Sequence, residues 1–231
     1  IGNLSGNDLT SGVANIFQGV GAGSNATTAN YSIAIGYSAI GIGILTGTDN
    51  VAIGNLSGND LTSGTYNNFM GYGAGANVTT GSYNVLQGYK AGLNATTASN
   101  TVAIGNTAIG LGILTGTDNT AIGRQAGNDL TSGTYNNFMG YQTGANATTP
   151  NYSIAIGYST IGAGVLTGTD NTAIGRQAGN QLTSGTYNNF MGYRAGYNLT
   201  TGTYNVLQGD QVGLNATTAS NTIAIGRSAM G

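Results

Sequence analysis

One glycine recurs along the whole chain and limits what it can fold into. It follows a pair such as AI, FM or LQ, and stands at Gly2, Gly19, Gly36, Gly54, Gly71, Gly88, Gly105, Gly123, Gly140, Gly157, Gly175, Gly192, Gly209 and Gly226. Of the thirteen intervals, ten are 17 residues long and three are 18. The longer ones begin at Gly36, Gly105 and Gly157, and each contains the variant IGxGxLTGTDN. A unit this short cannot bury a core alone, so it must stack on copies of itself. The length suits one coil of a β-solenoid, with two short strands and two turns per coil.

Other columns keep the same register. Two residues before the anchor glycine every residue is apolar, from Phe17, Ala34, Ala52 and Phe69 to Phe190, Leu207 and Ala224. Four before it stands Asn, Ser or Thr, and a second apolar column holds Leu9, Ala26, Leu45, Leu61 and their equivalents as far as Ala216. The residue after that column is Thr in all thirteen units, Thr10 to Thr217. Stacked coils bring identical side chains to within about 4.8 Å of one another, so Asn and Thr form ladders. Turns are expected where Gly, Ser, Asn and Asp gather, as in LTSGTYN and GTDN. The expected fold is therefore all-β, a parallel β-solenoid or β-roll of about fourteen coils of 17–18 residues.

A longer period overlies the short one. Blocks of three and four coils alternate, so residue i matches residue i + 121: Gly2 with Gly123, Leu9 with Leu130, Tyr31 with Tyr152. Residues 1–231 read as a single repeat region made of two near-copies of a seven-coil superunit. Both ends stop in mid-coil without a polar cap, which fits a segment of a longer fibre.

Composition narrows the chemistry. The chain has 42 glycines, no Cys, His or Trp, and only 5% charged residues, where a typical domain has roughly a quarter. All seven acids are Asp, and the cations are Lys90, Arg124, Arg176, Arg194 and Arg227. With a formal net charge of −2 there is no general basic surface for nucleic acid. No apolar run reaches the length of a membrane span, so no membrane insertion is expected of this segment. Acid–base and nucleophilic schemes would rest on Asp, Lys, Tyr, Ser and Thr alone, and no catalytic constellation is visible among them. Asp8, Asp60 and Asp129 share one column and Asp49, Asp118 and Asp170 another, too few per coil for a calcium site, so they read as turn residues. GYGAG at Gly71–Gly75 lacks the helix that a phosphate loop opens. The chain is thus expected to be no enzyme and to hold no cofactor or metal.

Two columns are candidates for contact. Tyr37, Tyr72, Tyr89, Tyr141, Tyr158 and Tyr193 follow the anchor, and Tyr31, Tyr66, Tyr83, Tyr135, Tyr152, Tyr187 and Tyr204 lie five before it. Their rings can stack on one another, or serve as a stripe that contacts carbohydrate. One before the anchor stand Ile35, Ile53, Met70, Ile104, Ile122, Met139, Ile156, Ile174, Met191 and Ile225. Neighbours along a strand point to opposite faces, so this second apolar row needs its own cover. A wide two-layered interior would supply one, and packing against sister chains around a threefold axis another; the thin core of a 17-residue coil favours sister chains.

At NTAIGRQAG and SIAIGYSA the sequence resembles the head repeats of YadA-type trimeric autotransporter adhesins. It is still more similar to the NTAIGYxAG repeats of phage and bacterial tail-fibre-like surface proteins. The similarity runs through all fourteen units, although these are longer than the adhesin unit. The resemblance implies a left-handed β-roll, three chains side by side, and attachment at a cell or virion surface. The expectation is an adhesive extracellular fibre: a homotrimer or a self-assembling filament, with surface glycans or host receptors as partners. The unbroken Thr column raises ice binding as a further reading, although its outward neighbours, Asn25, Asp8 or Ile44 among them, make a mixed row.

Overall fold

Each coil contributes one strand of three residues, and the rest of the coil is turns. The computed structural model describes residues 1–230; Gly231, the last residue of the predicted repeat region, lies outside the described residues. In a first unit, Ile1–Asp118, the strands are β1 (Ile16–Gln18), β2 (Ile33–Ile35), β3 (Val51–Ile53), β4 (Asn68–Met70), β5 (Val85–Gln87) and β6 (Val102–Ile104). In a second unit, from Asn119 onward, they are β7 (Thr120–Ile122), β8 (Asn137–Met139), β9 (Ile154–Ile156), β10 (Thr172–Ile174), β11 (Asn189–Met191), β12 (Val206–Gln208) and β13 (Ile223–Ile225). Within each unit successive strands pair in parallel and in register. Ala34 lies beside Ala52 and Ala52 beside Phe69 in the first, and Ala121 beside Phe138 and Phe138 beside Ala155 in the second. The chain is a parallel β-solenoid.

The second strand expected in each coil does not form. Its Leu–Thr segment still bonds to the next coil through the backbone, Thr62 N–H donating to Thr79 O (2.9 Å) and Thr183 N–H to Thr200 O (2.9 Å). Bends at Thr62 and Ser63 break that segment, and positive φ angles set the other corners of the coil. In the coil that starts at Gly54 they fall at Gly54 (135°), Leu56 (58°), Gly58 (56°) and Tyr66 (56°). The first of these explains the anchor itself. Its φ lies between +120° and +141° at every anchor, a region essentially open to glycine alone. A Cβ on Gly54 would also run into the carbonyl oxygen of Gly71 in the next coil.

The interior is filled by three rows. The row two before the anchor is buried from Ala34 to Ala224, and the Leu row is buried from Ala26 to Leu199. A third row, three after the anchor, was not expected: Ala22, Ala39, Ala74, Ala126 and Ala178 are all fully buried there. Polar members of that row bond to backbone, Ser57 Oγ donating to Phe69 O (3.0 Å) and Thr143 Oγ1 to Gly157 O (2.6 Å). The outer strand residues stay at the surface, since the typical strand buries only its central side chain. The solenoid interior therefore does not enclose the row one before the anchor.

Side-chain volumes in the core are matched across coils. Four residues after the anchor, the chain is left-handed, and Gly stands there in every 17-residue coil. A Cβ at Gly58 would meet the Phe69 ring at 2.8 Å, and one at Gly179 the Phe190 ring at 2.7 Å. In the three 18-residue coils the same position is Ile40, Ile109 and Ile161, all fully buried at φ between 44° and 47°. Ile40 and Ile161 each have Ala two before their own anchor and two before the next: Ala34 and Ala52, Ala155 and Ala173. A β-branched residue is strained at such angles. Filling the volume that two alanines leave empty offsets that strain. Beyond the Ile the longer coil runs extended, with Gly41, Gly43 and Leu45 inward and Ile42 and Ile44 outward.

A buried amide ladder fixes the register. Asn67 Nδ2 donates to Asn50 Oδ1 (3.0 Å) and to Gly81 O (2.9 Å). Its Oδ1 accepts from the backbone N–H and the Nδ2 of Asn84, both at 3.0 Å. The second unit repeats the pattern at Asn171, Asn188 and Asn205. Every lone pair and donor of the amide is used, which is what burial of the group demands.

Candidate functional site

The solenoid offers rows of surface side chains rather than a cleft, and no pocket forms among the described residues. Its rows are the candidate sites. The tyrosine column after the anchor separates into local groups. Tyr72 stacks on Tyr89 (centroids 5.4 Å apart, planes 12° apart), and Tyr141 on Tyr158 (5.1 Å, 19°). Tyr193 has two guanidiniums near its ring, Arg176 at 5.4 Å and Arg194 at 5.2 Å from its centre. Tyr37 has Val20 and Asn55 as its column neighbours and belongs to no stack. In the other column Tyr66 stacks on Tyr83, Tyr135 on Tyr152 and Tyr187 on Tyr204, at 4.9–5.1 Å.

These stacks decide how the rings can be used. A ring that lies on its neighbour one coil away has given that face to the protein. Sugar stacking, which needs a free face, is left to the ends of each stack. The edges and hydroxyls remain outward. The tyrosines five before the anchor are all left-handed, Tyr66 at φ 56° and Tyr187 at 56°. An L-residue there costs on the order of 1 kcal/mol, and a stacked aromatic pair returns about as much.

The row one before the anchor is neither core nor fully open. Ile35, Ile53, Ile104, Ile122, Ile156 and Ile174 are half-buried, and Met70, Met139 and Met191 are 36–40% exposed. Ile225 is exposed. The row three before the anchor shares this face, with Ile33, Val51, Val85, Val102 and Ile154 among its members. It also holds Asn68, Asn137 and Asn189, each with a buried amide oxygen that has no hydrogen-bond partner among the described residues.

A second exposed apolar set extends beyond Ile44, which the Thr column marks as outward. Ile42, Ile44, Leu111 and Ile113 are each 61–62% exposed, and Val165 follows them at the same position of its coil. The signal was the alternation in IGIGIL and IGLGIL, a period of two with glycine on the inner side.

The other candidates have structural partners. Asp49, Asp118 and Asp170 accept from the hydroxyl of the preceding Thr at 2.6–2.7 Å, which holds the GTDN turn. Thr62, Thr79 and Thr183 donate their hydroxyls to the carbonyl of the matching Thr one coil on, at 2.9–3.1 Å. No group of three or more metal-ligating side chains gathers among the described residues, and no helix is long and apolar enough to cross a membrane. Comparisons with protein-family models, with curated proteins and with solved structures found no match to this chain.

Proposed function

We propose that this chain is a non-enzymatic fibre segment that associates with copies of itself and presents repeated surface columns for attachment outside the cell. The observation that carries the reading is the outer face of the strands. Ile35, Ile53, Ile104, Ile122, Ile156 and Ile174 form a repeating apolar row that the coils themselves leave half-covered. Burying such a row gains about 25 cal/mol per Å², summed over every coil. The resemblance to trimeric adhesin heads and tail-fibre repeats favours a threefold arrangement at a cell or virion surface.

Attachment follows from repetition. Columns that recur every coil can engage a repeating ligand at many points, so that weak contacts combine into firm binding. Ice binding is less favoured, because most hydroxyls of the Thr row are donated to backbone carbonyls. The test is hydrodynamic: sedimentation of the purified chain, followed by electron microscopy of the sedimenting species. A closed trimer or a filament is expected, and a strict monomer would overturn the reading. Thermal hysteresis in the same sample would move the assignment to ice.

A further inference from the structure

We propose that the arginine–tyrosine column of the second unit binds a linear acidic polysaccharide whose carboxylates are widely spaced. The proposal rests on the attachment part of the function above and is independent of self-association. The column runs Arg124, Tyr141, Tyr158, Arg176, Tyr193, Asp210 and Arg227, one residue per coil. The Arg124 guanidinium lies 5.5 Å from the Tyr141 ring centre, and Arg176 lies 6.0 Å from Tyr158 and 5.4 Å from Tyr193. Arg194, one residue outside the column, adds a contact to Tyr193 at 5.2 Å and bonds to Gln177 Oε1 through its Nε at 2.9 Å. Arg227 faces Asp210 at 3.7 Å, a solvent-exposed pair of little strength.

This is a set of fixed cations with free donors. The guanidiniums of Arg124 and Arg176 make no hydrogen bond or ion pair among the described residues, only ring contacts. A guanidinium offers five N–H donors in a planar fork that matches a carboxylate. Ring contact holds the fork in place before a ligand arrives, so less side-chain entropy is lost on binding.

Spacing selects the class of anion. Arg124, Arg176 and Arg227 are three coils apart, and at about 4.8 Å per coil that is roughly 14 Å between charges. A nucleic acid strand carries a charge about every 3.4 Å, so most of its phosphates would find no cation and some would meet Asp210. A polysaccharide with an acidic sugar in each repeat unit carries its charges further apart. The hydroxyls of Tyr141, Tyr158 and Tyr193 then lie between the cations, where the neutral sugars would offer hydroxyl partners. The first unit lacks the arrangement, having Asn3, Asn55 and Asn106 at the matching positions.

The test is binding of the purified chain to immobilised hyaluronan, a polymer with one carboxylate per disaccharide, at low ionic strength. Carboxyl-reduced hyaluronan and a single-stranded oligothymidylate serve as the other two surfaces. The expected result is binding to hyaluronan that the reduced polymer does not reproduce and that exceeds binding to the oligonucleotide. Arg176→Gln alone should weaken it about two- to fivefold. The triple variant Arg124→Gln, Arg176→Gln, Arg227→Gln should weaken it about tenfold or more. Lys90→Gln should leave it unchanged, and circular dichroism should be the same for all variants. No binding by the unaltered chain, equal binding of the triple variant, or a preference for the reduced polymer or the oligonucleotide would each overturn the proposal. Sedimentation reads self-association separately, so the fibre reading stands or falls on its own.

Discussion

Residue i of the first unit corresponds to residue i + 121 of the second, and the two differ by layer. In the core the match is close: Phe17, Ala34, Ala52, Phe69 and Leu86 meet Phe138, Ala155, Ala173, Phe190 and Leu207. Gly58 meets Gly179, and Ile40 meets Ile161. In the column after the anchor only Tyr37 and Tyr72 are kept, as Tyr158 and Tyr193. Asn3, Val20, Asn55, Tyr89 and Asn106 become Arg124, Tyr141, Arg176, Asp210 and Arg227. The outward Ile42 and Ile44 become Ala163 and Val165. The first unit carries four aspartates and one lysine, the second three aspartates and four arginines. Inside, each side chain shares its volume with residues one coil away, so few substitutions fit. Outside, a side chain need only suit water and its column neighbours. The two units thus share a scaffold and offer different surfaces.

Substitutions in matched pairs can break or sharpen that comparison. The largest effect is expected at the anchors. Gly54→Ala and Gly175→Ala each force a Cβ onto the carbonyl oxygen of the next anchor, at a φ of 135° and 131°. Each should cost more than about 4 kcal/mol, seen as loss of hydrogen-exchange protection in the coils of its own unit. If one unit tolerates the change, the cores are not equivalent.

Core volume comes next. Phe69→Ala and Phe190→Ala should each cost about 3–5 kcal/mol in thermal or urea unfolding. Gly58→Ile alone should also destabilise, because its side chain would enter the Phe69 ring. In the Phe69→Ala background the same Ile should cost less, with a coupling of about 1–3 kcal/mol. Strict additivity would contradict the volume matching seen at Ile40 and Ile161.

The amide ladder ranks third. Asn67→Ala and Asn188→Ala each remove one member and leave the neighbouring amide and a buried carbonyl unpaired, for about 1–3 kcal/mol each. Smallest of all is the surface exchange. Asn55→Arg and Arg176→Asn should change stability by no more than about 0.5–1 kcal/mol, the scale of an exposed cation–π contact. A large effect there would mean that the columns hold the fold as well as decorate it.

Periodicity made the solenoid legible. The anchor interval, the two apolar columns and the Asn column each map to one place in the coil, because parallel stacking repeats every environment. The number of strands per coil was not legible. Tyr66, Leu56 and their equivalents carry positive φ angles that nothing in the identities Tyr or Leu announces. The third buried row was hidden by small size, since Ala22 or Ala74 in a glycine-rich turn looks like part of the turn. The exchange of Gly for Ile four after the anchor was visible in the IGxGxL variant, but its meaning needed the opposing alanines of the next coil. For the tyrosines, sequence showed that rings could stack and structure shows which do. The arginine contacts were missed because Arg124, Arg176 and Arg194 lie one or two residues past different anchors, and only stacking brings them to the tyrosines.

Sedimentation equilibrium of the purified chain tests the central claim most directly, because it asks whether the outer strand face is covered by another copy. The account predicts a homo-oligomer of three chains or a larger assembly. It also predicts that Ile53→Asp combined with Ile174→Asp reduces it to a single chain without changing the circular dichroism. A single chain at every concentration before any substitution, with the row from Ile35 to Ile225 facing water, would contradict it.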